Sequence, residues 1–459
     1  MTRANRIKLL CCALLLWGTA QAQKLEFSLH KHQSGKPGPT LLVIGGIQGD
    51  EPGGFNAASL LVTDYRITAG EVWVVPNLNF ESIIQRSRGV YGDMNRKFLN
   101  LQEADPEYAQ IQKIKSIILD PQVTMILNLH DGGGFFTPTY LSQLANPDRW
   151  GQSVIIDQDK VEGITHGELD NIAGRVIKAA NGRIGMPAHY YHIKNTQTRL
   201  GNEEMEKTLS YFAVRHGKSA FGIEASKEFL THERSFFHLN MVEAFMQDIG
   251  VGFERDFSLT QHGVKRRIEG NIRLAMYDNR ILFDMVNARS ILNYVPLKKD
   301  APLDFTPSNP LIALLRNQNN IHVRYGNRHV TYLRPQYLEY DDSLNTIRMV
   351  IDDEEKEVRL GSEVVVAATF KVLPMPDYRV NVIGFKRAGV EDESDITIDR
   401  QMILKNFSID KQGKMYRLEI YRADKFCGMV LVRFESRPVA KARQGTPVGA
   451  VPHPASNDT

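Results

Sequence analysis

A small set of side chains in this sequence has the types and spacing for hydrolytic chemistry. Gln48 and Glu51 are separated by two residues, and a lone His130 follows far downstream. Catalytic zinc takes three protein ligands and a water, commonly two His and a carboxylate. Here Gln48 stands where the first His would. Its amide oxygen is neutral, as imidazole is, so the charge of such a site is unchanged. It is a poorer donor, so weaker metal binding is expected. The same pair has a plainer reading, a solvated helix N-terminus at which the helix dipole favours Glu51. Two further features stand out. One is Glu224. The other is a cationic stretch, Arg86-Ser87-Arg88-Gly89-Val90-Tyr91-Gly92-Asp93-Met94-Asn95-Arg96.

Positioning these groups requires elements that end where they stand. Thr40 to Ile44, Glu71 to Val75, Val123 to Leu129, Ser153 to Ile156 and Ser219 to Ile223 are short apolar runs that read as strands. Pro52 onward, Tyr108 to Ile118, Asp170 to Ala180 and His232 to Gly250 read as helices, with apolar residues at helical spacing. Strands alternating with helices predict an α/β domain with a mostly parallel sheet. In such sheets ligands bind beyond the carboxyl ends of the strands. Gln48 and Glu51 follow the first of these runs, His130 the third and Glu224 the last. The polar groups should therefore converge on one rim.

After Gly250 the pattern changes to short β-rich runs: Val264 to Ile272, Ile321 to Tyr332, Thr346 to Ile351 and Glu357 to Leu360, with one helix expected near Leu311 to Arg316. From Ser362 to Glu435 nearly everything reads as strand, beginning with Glu363 to Val372, which suggests a small β-sandwich. The expected organisation is a catalytic domain at 23–250, a small β-rich (α+β) domain at 251–343, an immunoglobulin-like sandwich at 344–436 and a disordered tail at 437–459. Residues 1–22 read as a secretory signal peptide: Arg3, Arg6 and Lys8, a short apolar run, then Ala20-Gln21-Ala22.

The chain has 459 residues and a formal net charge of +3. The three basic residues of the leader account for that excess, so the rest is formally neutral. A dedicated nucleic-acid binder is excluded on this balance. Only Cys427 lies outside the leader, so an internal disulfide framework is excluded too. No later run is long and apolar enough for a membrane span, and stable membrane insertion is not expected. An exported, periplasmic protein is the expectation. Protein partners are not readable from the sequence.

From Gly45 through Glu224 the order and spacing of these groups resemble the zinc metallocarboxypeptidase superfamily. The motif Gly92-Asp93-Met94-Asn95-Arg96 is similar to its Asn-Arg element. Gln at the first ligand position resembles the peptidoglycan D,L-carboxypeptidase branch that determines helical cell shape, whose members also carry two small β-rich domains after the catalytic one. The resemblance implies Zn2+ held by Gln48, Glu51 and His130, with Glu224 as general base. It implies Asn95 and Arg96 on the substrate carboxylate, and Arg88, or less well Arg86, stabilising the oxyanion. It also implies a substrate class, peptidoglycan stem peptides (muropeptides), with an uncrosslinked tripeptide trimmed to a dipeptide and meso-diaminopimelate released. The family's mobile Tyr has no clear counterpart, since neither Tyr191 nor Tyr211 fits. Two other functions fit parts of the pattern: an N-acyl amidohydrolase of the desuccinylase or aspartoacylase kind, and a metal-free wall-binding scaffold.

Overall fold

A computed structural model of the chain describes residues 25–435 except 386 and 388. The expected leader and tail lie outside these residues. The described residues form two compact units. One comprises those up to Asp278 together with Phe283–Leu338, and the other Asn279–Leu282 together with those from Glu339 onward.

In the first unit the chain enters along β1 (His30–Gln33) and β2 (Thr40–Gly45), then α1 (Pro52–Asp64), β3 (Tyr65–Ala69) and β4 (Glu71–Val75). It continues through α2 (Phe80–Gln85), α3 (Tyr108–Ile118) and β5 (Val123–Gly132), then the short β6 (Phe135–Phe136), β7 (Ala145–Asn146) and β8 (Ser153–Ile156). Next come α4 (Leu169–Ile184), β9 (His192–Asn195), α5 (Glu203–Glu206), α6 (Leu209–Arg215), β10 (Ser219–Ser226) and α7 (Thr231–Ile249). Seven strands make the main sheet in the order β1-β4-β2-β5-β10-β8-β9. The pairs β4–β2, β2–β5, β5–β10 and β8–β9 are parallel, while β1–β4 and β10–β8 are antiparallel. The mixed, mostly parallel sheet expected from the sequence is thus present.

The central strands are mainly apolar because they are covered on both faces. Every residue of β2 is buried, and β5 and β10 are buried almost end to end. Burying one such Leu, Ile or Val side chain contributes about 1.5–3 kcal/mol. The polar residues begin where this run stops, which places them at the sheet's carboxyl rim. Close backbone approaches hold that rim together. A Cβ on Gly49 would stand 2.0 Å from the Ser82 carbonyl carbon in α2, and one on Gly54 would stand 2.7 Å from the Leu129 carbonyl oxygen in β5. Only glycine permits these contacts.

Two sequence expectations fail in this unit. Val264 to Ile272 is not a strand: α8 (Gln261–Gly270) occupies it, capped by the Thr260 side chain, with Val264 and Ile268 buried on one face. Leu311 to Arg316 is not a helix: Ile312–Asn317 is a strand paired antiparallel with Asn320–Tyr325. Leu311 to Arg316 is a short apolar run that satisfies either period, whereas Val264, Ile268 and Ile272 recur every four residues among charged ones, which is the spacing of a helix face. In the second unit two four-stranded sheets share one apolar core. The expected strand Glu363 to Val372 is broken into Glu363–Val366 and Thr369–Val372. Between them Asp352 accepts hydrogen bonds from the amides of Ala367 (2.8 Å), Ala368 (2.7 Å) and Thr369 (3.2 Å), which turns the chain. Cys427 is fully buried there, as expected of a core residue.

Candidate active site

His130 and Glu224 occupy the same register position on the adjacent parallel strands β5 and β10, so their side chains share one face. Glu51 sits at the N-cap of α1, with Pro52 opening the helix. Its carboxylate does not cap the helix. It is buried and turned toward β5, where Oε2 lies 3.0 Å from His130 Nδ1 and accepts from the Asp131 amide at 3.1 Å. The solvated reading of Glu51 therefore fails. Gln48 is buried beside it, with Oε1 3.2 Å from the same His130 nitrogen.

Asp93 decides which way the Gln48 amide points. Its Oδ1 accepts from Gln48 Nε2 at 2.8 Å, which leaves the oxygen end facing His130. The same Oδ1 accepts from the Asn95 amide at 2.9 Å, and Oδ2 accepts from Arg88 Nε at 3.0 Å. Asn95 is buried. Its Oδ1 accepts from the Leu209 amide at 3.0 Å, while Nδ2 lies 3.5 Å from His130 Nε2. Arg96 lies beside it, with Nε 3.4 Å from Glu204 Oε2. Gln48, Glu51, Arg88, Asn95, Arg96, His130 and Glu224 all line one cleft. Arg86 is not brought to it. Arg86 caps α2 in the left-handed region, and its Nε donates to the Asn327 carbonyl at 2.6 Å.

Behind the cleft, on the opposite face of β5, lies a second polar cluster. Asp131 Oδ2 accepts from the Gly53 amide of α1 at 2.8 Å and from Arg234 Nη1 at 3.2 Å, while Oδ1 lies 3.1 Å from His238 Nε2. Arg234 also donates to the Lys227 and Phe229 carbonyls. A Cβ on Gly53 would stand 2.3 Å from Asp131 Oδ1, so the helix approaches this closely only as glycine. Asp131 thereby ties the start of α1, the end of β5 and the exit of β10 together. Sequence reasoning gave no role to Asp93 or Asp131. The available signal was position alone: one precedes the Asn-Arg pair by two residues, and the other directly follows His130.

The electrostatics follow from burial and charge. Burial pushes the Glu224 carboxyl well above the usual carboxylate range, with Glu51 and Asp131 adding to the rise and His130 and Lys227 opposing it. For His130 burial acts downward, but the hydrogen bond to Glu51 and the surrounding carboxylates outweigh it and hold the imidazole above its ordinary value. Burial also acts upward on Asp131, but the His238 and Arg234 contacts overcome it and hold the carboxyl below the usual range.

Among the described residues no group of three or more His, Cys, Asp or Glu side chains could hold a metal ion. The donor set at the cleft is different because its third member is an amide. Ligands at tetrahedral zinc bond lengths stand roughly 3.3 Å apart. The separations of 3.0 and 3.2 Å from His130 Nδ1 to the two oxygens are close to that, and the set is neutral–anionic–neutral in charge. These three groups therefore fit a divalent cation.

A mostly parallel sheet with this donor set, an acid in register and an Asn-Arg pair defines a metallocarboxypeptidase, a peptide hydrolase. The profile of carboxypeptidases controlling helical cell shape, catalytic part, matches residues 4–269, and a C-terminal domain of metallo-carboxypeptidase matches 340–435. The chain belongs to this family of carboxypeptidases that control helical cell shape. Among solved structures it is similar to apo cell shape determinant protein Csd4 of Helicobacter pylori, at 38% identity over 89% of this chain and 100% of that one, with a TM-score of 0.81. The tripeptide-bound form of that protein matches at 38% identity over 89% and 100% of the two chains, with a TM-score of 0.80. Its mDAP-bound form, described as a D,L-carboxypeptidase, matches at 39% over 88% and 100%, with a TM-score of 0.81. No curated protein matches the chain. Among the described residues no helix is long and apolar enough to cross a membrane.

Proposed function

We propose that this protein is a zinc-dependent D,L-carboxypeptidase of the periplasm. It acts after removal of a leader at residues 1–22. It trims uncrosslinked murein tripeptide to dipeptide, releases meso-diaminopimelate and so affects cell shape. The proposed catalytic domain is 23–250, followed by β-rich domains at 251–343 and 344–436. The observation that carries the reading is the convergence of Gln48 Oε1 and Glu51 Oε2 on His130 Nδ1, beside Glu224 in register. The tripeptide-bound and mDAP-bound relatives support the substrate class.

Gln48, Glu51 and His130 would hold the zinc, which when bound polarises the scissile carbonyl and acidifies the attacking water. Arg96 offers a planar pair of donors to the terminal carboxylate of the substrate. Asn95 adds an amide beside it, and together they restrict cleavage to the chain end. Glu224, raised by burial, takes a proton from the attacking water and delivers it to the leaving amine. Arg88 donates to the charge that develops on the carbonyl oxygen. Its Nη1 already stands 3.6 Å from Glu51 Oε1, beside the donor set.

The test is mass spectrometry of muropeptide digests with and without a chelator. Loss of the terminal residue from tripeptide, abolished by chelation and restored by zinc, is the expected result. Activity that survives chelation would contradict the mechanism. Turnover of N-acyl amino acids in place of muropeptides would move the enzyme to the amidohydrolases.

A further inference from the structure

Arg86 is left outside the cleft, and its surroundings call for a ligand. It is exposed at the end of α2, against the turn of a hairpin made by the strands Asn320–Tyr325 and Arg328–Leu338. That turn is packed closely on the first unit's helices: a Cβ on Gly326 would stand 3.1 Å from a carbon of the Phe55 ring in α1. The Asn327 carbonyl in the turn accepts from Arg86 Nε at 2.6 Å and from Arg324 Nη2 at 2.9 Å, so two guanidiniums meet at one oxygen. Arg324 Nη2 also donates to the Ile84 carbonyl in α2 at 2.9 Å. A helix C-terminus carries about half an elementary negative charge, too little to balance two guanidiniums.

Among the described residues neither arginine pairs with a carboxylate. Arg88, two residues on, shows the contrast, with Asp93 Oδ2 at 3.0 Å and Glu51 Oε1 at 3.6 Å. Arg86 Nη1 and Nη2 and Arg324 Nη1 have no acceptor among the described residues, and Arg324 Nε is buried without one. The positive character continues along the hairpin. His322 Nε2 lies 2.7 Å from His329 Nδ1, and burial pushes the His322 imidazole down to about 4, with Arg324 and His329 adding to the fall. Two imidazoles in contact are also a motif for a transition metal, but the neighbouring guanidinium repels a cation. We propose that Arg86 and Arg324 form a binding site, outside the cleft, for a phosphate group. Each planar guanidinium offers paired donors to an oxyanion. Phosphate is matched better than carboxylate, because its tetrahedral oxygens serve two separate forks, whereas the two oxygens of a carboxylate are both engaged by one. A free phosphate ion and the phosphodiester headgroup of an anionic lipid present this same chemistry. The site does not depend on the carboxypeptidase reading.

The test uses two probes on the whole enzyme. Inorganic phosphate is titrated in by calorimetry, and the enzyme is sedimented with phosphatidylglycerol vesicles, with phosphatidylcholine vesicles as the reference. Arg86→Gln and Arg324→Gln should each weaken binding about tenfold, the scale of one charge-assisted hydrogen bond. Arg86→Lys, which keeps the charge and loses the fork, should restore part of it. Arg96→Gln, in the cleft, should leave this binding in place. Arg86 is exposed, so its variant carries the test even where Arg324→Gln fails to fold. Phosphate binding without vesicle binding identifies a free ion as the occupant, and vesicle binding lost in Arg86→Gln identifies a headgroup. Equal affinities of the wild type and Arg86→Gln for both probes, or binding of neither probe, overturn the proposal. Those outcomes leave muropeptide turnover, and with it the carboxypeptidase reading, untouched.

Discussion

His130 and Asp131 are neighbours in the chain, on opposite faces of β5 and buried to a similar degree. Their surroundings differ in kind. On the front face His130, Gln48, Glu51 and Glu224 stand together with an excess of negative charge, and burial raises Glu224 rather than pairing it. On the rear face Asp131 is met by an amide, a guanidinium and an imidazole, and its carboxyl is held low. The front cluster costs stability and leaves groups ready for a ligand. The rear cluster is satisfied internally and fixes the segments that carry the front one. Function and stability should therefore separate across the thickness of one strand.

The largest effect is expected on the front face. Glu224→Gln should lower kcat by about a thousandfold or more, the range for losing a general acid-base group. Metal content and thermal stability should be retained, because the substitution removes a buried carboxyl that has no matching cation. A melting temperature well below that of the wild type would contradict the comparison. The rear face should respond in the opposite way. Asp131→Ala leaves the partly buried Arg234 without its acid, and breaking a buried pair costs up to about 3–5 kcal/mol. Urea denaturation should show that loss. Unchanged stability would mean that the rear cluster is not structural.

Asp93→Ala sharpens the contrast, because Asp93 touches the front cluster without being one of its donors. Losing the acceptor for Gln48 Nε2 frees the amide to turn. Zinc affinity measured by competition with a chromophoric chelator should fall about 10- to 100-fold, as for other groups that orient ligands. The smallest effect concerns a buried acid in the second unit. Burial pushes Glu393 up to about 7 from an ordinary 4.5, although Oε2 accepts from the Val382 amide at 2.6 Å. The folded form therefore holds this proton more tightly than the unfolded chain does. The contribution is complete below pH 4.5 and is lost as pH rises through 7. Between pH 5 and 8 the wild type should lose about 1 kcal/mol from this group, allowing for partial screening. Glu393→Gln keeps an acceptor for the amide and should flatten that slope in thermal denaturation across pH.

Much of this arrangement was legible in the amino-acid order, for a reason specific to parallel sheets. The strands β2, β5 and β10 are buried on both faces, so each reads as a mainly apolar run, and the charged or metal-ligating residue that ends or follows it is placed at the rim. That is how Gln48, Glu51, His130 and Glu224 could be found. The β-rich remainder was less readable, because a short apolar run such as Leu311 to Arg316 satisfies two periods at once and the helical spacing of Val264, Ile268 and Ile272 lies among β-rich neighbours. The segment around Val264 and Ile268 is a helix, and the one around Leu314 is a strand.

The sequence by itself determined the buried strand runs and the residue types that stand at their carboxyl ends, with Gln at position 48. The tertiary structure alone decided three things. It turned Glu51 inward rather than out to solvent. It oriented the Gln48 amide through Asp93, and it left Arg86 outside a cleft that Arg88 enters. The physical reason is the same in each case. Chain order fixes where a backbone segment ends, but the direction of a polar side chain is set by the partners that satisfy it. Those partners come from segments brought together only on folding.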